Sequence, residues 1–398
     1  MARASGDERP DCCGARPGAG PAGLVLANIL QAAGVESIVL ERRGRVQVEQ
    51  RARAGFLAPD SVAILREHGL AAGLDARGHT HDRCEFRSAA GRIDLRYSEL
   101  GGGRIHTVYP QQALVTDLIA EYLSRGGTVH FDTAVERIEG VHGDRPAVVA
   151  RDGEGRELRF TGDYLAGCDG ARGISRTVVP ARVASCDHGI TWLALLAQAP
   201  PAAESVIYGV HARGFAGHMP RTAEVTRYYL QCDPSTDPEQ WSEQQIWSEL
   251  ARRLDAPGTP ALITGPIIER GLVRLRSQIL DPIQAGRLFL VGDAVTSISP
   301  SAAKGANLAI TGAELLAHGL IDAVRRGDET ALQRYSRQHL PRIRRAQEFS
   351  HWMIDLLHPP VGTGPDNAYR SELQQARLHN LAVSTAHQDV FADNYVGI

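Results

Sequence analysis

The sequence predicts an α/β protein: a Rossmann-like dinucleotide-binding domain interleaved with a mixed-sheet second domain and closed by C-terminal helices. Three observations predict it. A glycine-rich turn, GAGPAG at 18–23, runs into an apolar helical stretch (LVLANILQAAG) and then a short apolar run ending in an acid (SIVLE). Much later, two more apolar runs end in Asp169–Gly170 and Gly292–Asp293. Between them, from about 190 to 275, the texture changes to strand-like runs (ITWLALLA, SVIYGV, TRYYLQC),.

Taken in order, Gly34 suits the end of the first helix, where left-handed backbone is cheap only for glycine,. Glu41 completes a glycine loop, helix and strand, which is most of a βαβ unit. The missing piece is the first strand. The segment DCCGARP at 11–17 is poor material for a buried central strand. Pro17 has no N–H, and Gly14 and Arg16 lack branched apolar side chains. SVAILREHG reads as a helix, and 82–109 as short alternating strands (CEFRS, RIDLRY, IHTVY). An amphipathic helix with a glycine stop follows at 111–127, then a strand (TVHFD) and a hairpin-like region (AVVARD, ELRFTGDYLAGCDG). The helix EQQIWSELARRL is inserted among the strands of the second domain. RLFLVGDAV returns to a buried strand, a helix is expected to start near Ser301, and the tail from about 330 reads as helical. The expected division gives 1–75, 111–180 and 276–330 to the nucleotide-binding domain, 76–110 and 181–275 to the sheet domain, and 331–398 to the C-terminal helices.

Composition bounds the function. The chain has 398 residues, 43% apolar and 22% charged, which suits two or three packed globular domains,. A net charge of -3 gives no electrostatic case for nucleic acid or an anionic membrane,. Six cysteines (Cys12, Cys13, Cys84, Cys168, Cys186, Cys232) are scattered without metal-ligand spacing, so reduced thiols and no metal centre are expected,. No apolar run reaches bilayer length, and MARASGDERPDCC has no apolar core of a signal peptide, so the expected compartment is the cytoplasm,.

The chemistry-bearing residues fall in three places. Gly18, Gly20 and Gly23 permit a tight turn and close backbone approach to a pyrophosphate at a helix N-terminus, and Glu41 falls where an acid accepts ribose hydroxyls. Asp293 follows the late strand, where a carboxylate can hold a sugar-like hydroxyl. Asp169 precedes Arg172 and Arg176, expected on the following helix and available for phosphates.

The order and spacing of these three places resemble the class A flavoprotein monooxygenases, and within them the para-hydroxybenzoate hydroxylases. The stretches that carry the resemblance are GAGPAGL, LERR, QRARAG, YLAGCDGARGISR, WLALLA, IYGVHARGFA, TRYYLQ, GRLFLVGDAV, AKGANLA, FSHWM and DNYVG, from about residue 18 to the end. The resemblance implies FAD as cofactor, NADPH (or NADH) and O2 as cosubstrates, a small aromatic acid as substrate, and a homodimer. The implied reaction of aromatic catabolism converts 4-hydroxybenzoate to 3,4-dihydroxybenzoate. FAD contacts are implied at Gly18, Gly20, Gly23, Glu41, Arg42, Arg53, Gln111, Asp169, Asp293, Lys304 and Asn307. Groups facing NAD(P)H are implied at Arg42, Arg51, Arg172, Arg176 and Arg276. Arg221 and Tyr229 match residues that hold the substrate carboxylate, for which a planar guanidinium fork is well shaped. Tyr208, Tyr395 and His81 match a relay that removes the phenol proton, and Pro300 a carbonyl on the phenol side of the ring.

The sequence also departs from that pattern. Met219 replaces a serine that helps hold the carboxylate, Ser299 replaces a proline, and Ser301–Ala302 replace a Thr–Gly pair. Gln47 replaces a tyrosine in the segment that selects the nicotinamide, where Arg43 and Arg45 lean toward NADPH. Two alternatives follow. Met219 points to another para-substituted benzoate, amino or further hydroxylated. The segment 11–17 points to a chain that binds FAD poorly and is inactive.

Overall fold

A computed structural model gives the fold and describes residues 14–51, 55–100, 102–360 and 364–397, with backbone alone for 14–17. The first layer is a six-stranded sheet in the order 284–285, 288–290, 164–167, 14–17, 38–40, 128–130. Gly14–Pro17 is thus a strand at its centre, parallel to both neighbours, with Ala15 opposite Ile38 and Leu165. The unfavourable composition of this segment does not prevent pairing, because the ladder is made by backbone groups. Pro17 sits at the strand's last position, and the next amide, Gly18 N–H, donates to Leu40 O at 2.7 Å,. Val39, Leu40, Leu165 and the run Leu288–Leu290 supply the buried apolar surface around it.

Helix Pro21–Ala32 buries every residue from Ala22 to Leu30. It lies against helices Gly305–Arg326 and Gln111–Ser124, and Asn28 Nδ2 donates to Leu118 O at 3.0 Å. A three-stranded antiparallel sheet (134–139, 147–151, 157–161) flanks this half.

The second layer is an eight-stranded sheet in the order 296–297, 267–281, 182–197, 226–232, 216–220, 206–210, 84–88, 91–95. Its early strands come from far upstream: Cys84–Ser88 runs parallel to Val206–Val210, with Phe86 opposite Tyr208. Alternation along the strands gives the sheet two apolar faces. One carries Leu193, Leu195, Ile207, Tyr228 and Leu230 and is covered by helix Glu243–Leu254. That helix is opened by a capping box, in which Ser242 Oγ accepts from Gln245 N–H (3.2 Å) and Gln245 Oε1 from Ser242 N–H (2.9 Å),. The other face carries Phe86, Trp192, Ala194, Tyr208 and Tyr229, and is covered by the C-terminal helices through Phe349, Met353, Phe391 and Tyr395. These are helices Thr330–Leu357, Pro365–Val383 and Thr385–Val396.

Two expected helix positions are corrected. The helix expected near Ser301 starts at Gly305. Before it, Pro300–Ala302 forms a 3-10 turn that Ser299 Oγ caps, and Ala303 turns left-handed (φ 53°). Arg172 lies in a turn that Gly170 (φ 79°) opens, ahead of the short helix Ser175–Val178, which carries Arg176 alone of the two. Among the described residues, no helix is long and apolar enough to cross a membrane.

Candidate functional site

The nucleotide end is built from glycine backbone. A Cβ on Gly18 (φ 111°) would lie 2.3 Å from the Cys168 carbonyl oxygen, and one on Gly23 would lie 2.1 Å from the Gly18 carbonyl oxygen. Those two glycines close the turn and seat the helix. A Cβ on Gly20 would meet nothing within 4 Å, so this glycine faces open space at the N-terminus of helix Pro21–Ala32. That terminus has no side-chain cap and no acid in its first turn, which leaves its N–H groups and positive dipole for an anion,. Glu41 reaches across the loop: Oε2 accepts from Ala19 N–H at 2.8 Å and Oε1 from Arg43 N–H at 3.0 Å. Gly292 (φ 64°) leaves its Cβ position 3.0 Å from Ala22 Cβ, which sets half-buried Asp293 beside the same helix. The structure therefore brings together Gly18, Gly20, Gly23, Glu41 and Asp293 in a cradle suited to the pyrophosphate and sugar hydroxyls of FAD.

Other residues expected at the cofactor are committed to the protein itself. Asp169 Oδ2 accepts from Ser175 N–H at 2.9 Å, and burial raises its pKa. Its carboxylate fills the space where a Cβ on Gly173 would stand, so Oδ2 closes its own loop while Oδ1 stays buried without a hydrogen-bond partner among the described residues. Asn307 spends its whole amide on backbone: Oδ1 accepts from Ala58 N–H (2.8 Å), and Nδ2 donates to Phe56 O (3.0 Å) and Ala303 O (2.9 Å). Lys304 is buried, and Nζ donates to Tyr395 O at 2.8 Å and Gly397 O at 2.5 Å. Those two bonds tie it to the end of helix Thr385–Val396, and burial lowers its pKa to about 7. Gln111 opens helix Gln111–Ser124, half-buried, and Arg53 lies outside the described residues.

Of the groups expected to face NAD(P)H, Arg42, Arg51 and Arg172 are exposed. Arg176 donates to Ala171 O and Gln278 Oε1, both at 2.5 Å, and Arg276 pairs with Asp187 at 2.9 Å.

The phenol end is built from side chains. Tyr208, on strand Val206–Val210, and Tyr395, on the last helix, meet hydroxyl to hydroxyl at 2.8 Å, both buried. Phe86 stacks on Tyr208 (ring centroids 5.2 Å) and Phe391 on Tyr395 (5.0 Å). Burial pushes both phenol pKa values up, so the pair remains protonated and can hand protons on without holding charge. His81 is buried on strand His79–His81, not on the surface, and its carbonyl accepts from Tyr97 OH at 2.8 Å. His81 also lines a polar cavity of about 60 Å³ with Asp82, Glu204 and Ser205. Burial lowers its pKa against the opposing pull of Asp82. Phe56 stands between the two ends of the expected relay, 5.8 Å from His81 and 6.2 Å from Tyr395 by ring centroid. No direct hydrogen bond joins Tyr395 to His81 among the described residues.

Sequence reasoning missed His106. Its ring lies 5.1 Å edge-on to Tyr395, Nδ1 is buried without a partner, and burial holds it neutral. A histidine inside the short strand IHTVY was the one available signal.

At the opposite end, Arg221 sits half-buried in the turn after strand Ala216–Pro220, its N–H bonded to Val225 O at 3.0 Å. Among the described residues its guanidinium has no hydrogen-bond or ion-pair partner, and burial lowers its pKa while Tyr229 opposes the shift. Cross-strand register places Tyr208 opposite Gly217 and Gly217 opposite Tyr229, so both tyrosines share one face with a gap at the glycine,. Met219 lies two residues on, opposite Arg227, on that same face, and packs into the same apolar cluster. Pro300 opens the 3-10 turn, half-buried, with its carbonyl accepting from Ala303 N–H at 3.1 Å.

The chain thus combines a sheet face with a phenolic pair at one end, a guanidinium unpaired among the described residues at the other, and a nucleotide cradle. The profile of the family described as FAD binding domain matches residues 18–350. The p-hydroxybenzoate hydroxylase of Acinetobacter baylyi is 34% identical over 384 residues, 96% of this chain and 94% of that protein. A 3-amino-4-hydroxybenzoate 2-monooxygenase of Streptomyces platensis is 28% identical, covering 92% of this chain and 93% of its own length. In fold, the p-nitrophenol 4-monooxygenase of Pseudomonas putida DLL-E4 superposes with a TM-score of 0.79 at 18% identity, covering 97% of this chain and 98% of that one. The chain belongs to the flavin-dependent aromatic monooxygenases that share this FAD-binding domain.

Proposed function

We propose that this protein hydroxylates 4-hydroxybenzoate at ring carbon 3. The balanced reaction consumes 4-hydroxybenzoate, O2, NAD(P)H and a proton, and yields 3,4-dihydroxybenzoate, NAD(P)+ and water. The observation that carries the reading is the buried Tyr208–Tyr395 hydroxyl pair at 2.8 Å, on the sheet face that also bears Tyr229. A free phenol titrates near ~10, so at neutral pH it is mostly protonated and a weak nucleophile. A substrate phenol hydrogen-bonded to Tyr208 can release its proton through Tyr395, and the phenolate then enriches the ring carbon ortho to it. Arg221, whose guanidinium has no ion-pair partner among the described residues, takes the carboxylate, and Tyr229 shares it. Bound FAD, reduced by NAD(P)H, supplies the activation of O2. The buried aromatic walls, Phe86 and Phe391 among them, exclude water from the reacting ring,.

Basic Arg43 and Arg45, in the segment that selects the nicotinamide among the relatives, support NADPH over NADH. The scattered cysteines, without the density of a disulfide framework, support a reducing, cytoplasmic compartment,.

A second reading concerns the ring substituents. Met219 offers no hydrogen-bond donor on the face that bears Tyr229,, and a relative acts on 3-amino-4-hydroxybenzoate by its name. The deciding experiment measures NADPH oxidation and products for 4-hydroxybenzoate, 4-aminobenzoate, 3-amino-4-hydroxybenzoate and 3,4-dihydroxybenzoate. The proposal expects 4-hydroxybenzoate to be turned over fastest, with 3,4-dihydroxybenzoate as product. Fastest coupled turnover of an amino-substituted ring would replace it with the second reading.

A further inference from the structure

Where helices Pro59–Glu67 and Gly305–Arg326 meet, three metal-ligating side chains converge from distant segments. His68 closes helix Pro59–Glu67 as its C-cap. Glu314 and His318 stand four residues apart on helix Gly305–Arg326, a spacing that puts both on one face,. One ligand atom from each of the three lies within 4.8 Å of the others. His68 Nε2 is 3.9 Å from Glu314 Oε1, too far for a hydrogen bond, and the two imidazole rings are 5.9 Å apart by centroid,. His68 Nε2 is buried and has no hydrogen-bond partner. This nitrogen, facing a carboxylate and a second imidazole within ligand reach, is open to a bound ion,. A simple His68–Glu314 ion pair would leave His318 without a role.

We propose that His68, Glu314 and His318 bind one divalent transition-metal ion of the zinc class. Two imidazole nitrogens and one carboxylate oxygen suit zinc and its borderline neighbours, whereas calcium and magnesium require oxygen ligands. Tetrahedral bonds of about 2.0–2.2 Å set ligand atoms roughly 3.3 Å apart. Closing to that spacing needs a movement on the order of 1–1.5 Å. The torsions of half-buried Glu314 and exposed His318 can supply it while packing holds His68,. Water takes the fourth position on the exposed side of His318.

The ion would brace two elements that the fold already joins once. Asn307 bonds Phe56 O and Ala58 N–H, just ahead of helix Pro59–Glu67, and Glu314 lies seven residues further along its own helix, about 10.5 Å,. A metal there is a second rivet on the same pair of helices, so it stabilises the fold and takes no part in hydroxylation. The cysteine spacings could not reveal it, because none of its ligands is a cysteine and one is far away in sequence.

The test uses tag-free, FAD-loaded protein freed of metal by a chelator and titrated with zinc by calorimetry, with thermal unfolding followed in parallel. One zinc per chain with a dissociation constant in the micromolar range or tighter is expected, with a raised unfolding temperature that magnesium and calcium do not reproduce. His318→Ala, at an exposed position, is expected to weaken zinc binding at least tenfold and to leave the flavin spectrum and hydroxylation rate unchanged. His68→Ala is expected to do the same. Zinc binding only at millimolar concentration, or undiminished binding in His318→Ala, overturns the proposal. The latter would place the ion elsewhere, with exposed Cys186 the first position to examine.

Discussion

The two ends of the candidate site are made of different material. The nucleotide end is backbone: glycines that leave room, an uncapped helix terminus, and one carboxylate tied to loop amides. The substrate end is side chain: Tyr208 and Tyr395 on the phenol side, Arg221 and Tyr229 on the carboxylate side, arrive on three strands or turns and a helix, held by packing and by the Tyr208–Tyr395 hydrogen bond. Backbone construction tolerates odd composition, as the central strand Gly14–Pro17 shows. It does not tolerate an added atom at the wrong glycine. Side-chain construction should show the opposite behaviour, where truncations leave the fold intact and remove one function each.

The sharpest way to break that contrast lies in the glycine loop. Gly23→Ala puts a methyl group 2.1 Å from the Gly18 carbonyl oxygen, with no flexible neighbour to yield. The expected result is protein purified without flavin and with a lowered unfolding temperature. Gly20→Ala has nothing within 4 Å to strike in the protein, so the fold should persist with FAD affinity reduced at least tenfold. Absorbance of bound flavin together with thermal unfolding separates the two. A Gly23→Ala protein that is yellow and fully stable would show that the turn is not built as described.

The same difference in material decides what could be read in advance. The glycine spacing, the acid at 41 and the Gly292–Asp293 turn are local signatures, visible because neighbours in sequence are neighbours in space. Helix Glu243–Leu254 was legible for the same reason, since its cap and apolar period are local. Phe86 and Tyr208, by contrast, meet across two parallel strands from distant parts of the chain, and Tyr395 reaches them from the last helix. Resemblance pointed to Tyr208 and Tyr395, whereas spacing alone could not, and nothing in the sequence singled out Phe86. Asn307 and Lys304 were expected at the cofactor, but their polar atoms are engaged by backbone groups that only the folded chain brings near. His106 was missed because a histidine in an apolar strand looks like core until Tyr395 is seen against it.

At the side-chain end, Arg221→Ala should leave unfolding temperature and flavin content unchanged while weakening substrate binding by roughly 10² to 10³, the scale of removing one partner of a desolvated charge pair. Substrate-induced change in the flavin spectrum gives the dissociation constant directly. Arg221→Lys should recover little, because a point charge does not reproduce the fork. Unaltered affinity in the alanine variant would take the carboxylate elsewhere.

Tyr208→Phe probes the other end of the same substrate. Removing one hydroxyl from the 2.8 Å pair keeps the ring and its stacking on Phe86. Substrate affinity should fall only a few-fold, whereas hydroxylation should slow by about 10²-fold, the lower range for a lost proton-transfer partner. The residual rate should climb with pH toward ~10, where a phenol ionises without help. A variant whose rate is both undiminished and flat with pH would remove the tyrosine pair from proton transfer.

The smallest effect is the most specific to this chain. Met219 shares its sheet face with Tyr229 and packs into the apolar cluster, with no donor to offer a carboxylate. Met219→Ser would place a hydroxyl there at the loss of some apolar burial. A hydrogen bond to a charged group contributes about 1.5–3 kcal/mol at most. The lost thioether packing and the cost of desolvating the hydroxyl offset part of that. The net gain in 4-hydroxybenzoate affinity should be about tenfold or less, with turnover nearly unchanged because the phenol end is untouched. If the serine weakens binding instead, Met219 is serving as a wall shaped for a different ring, and the carboxylate is held by Arg221 and Tyr229 without a third partner.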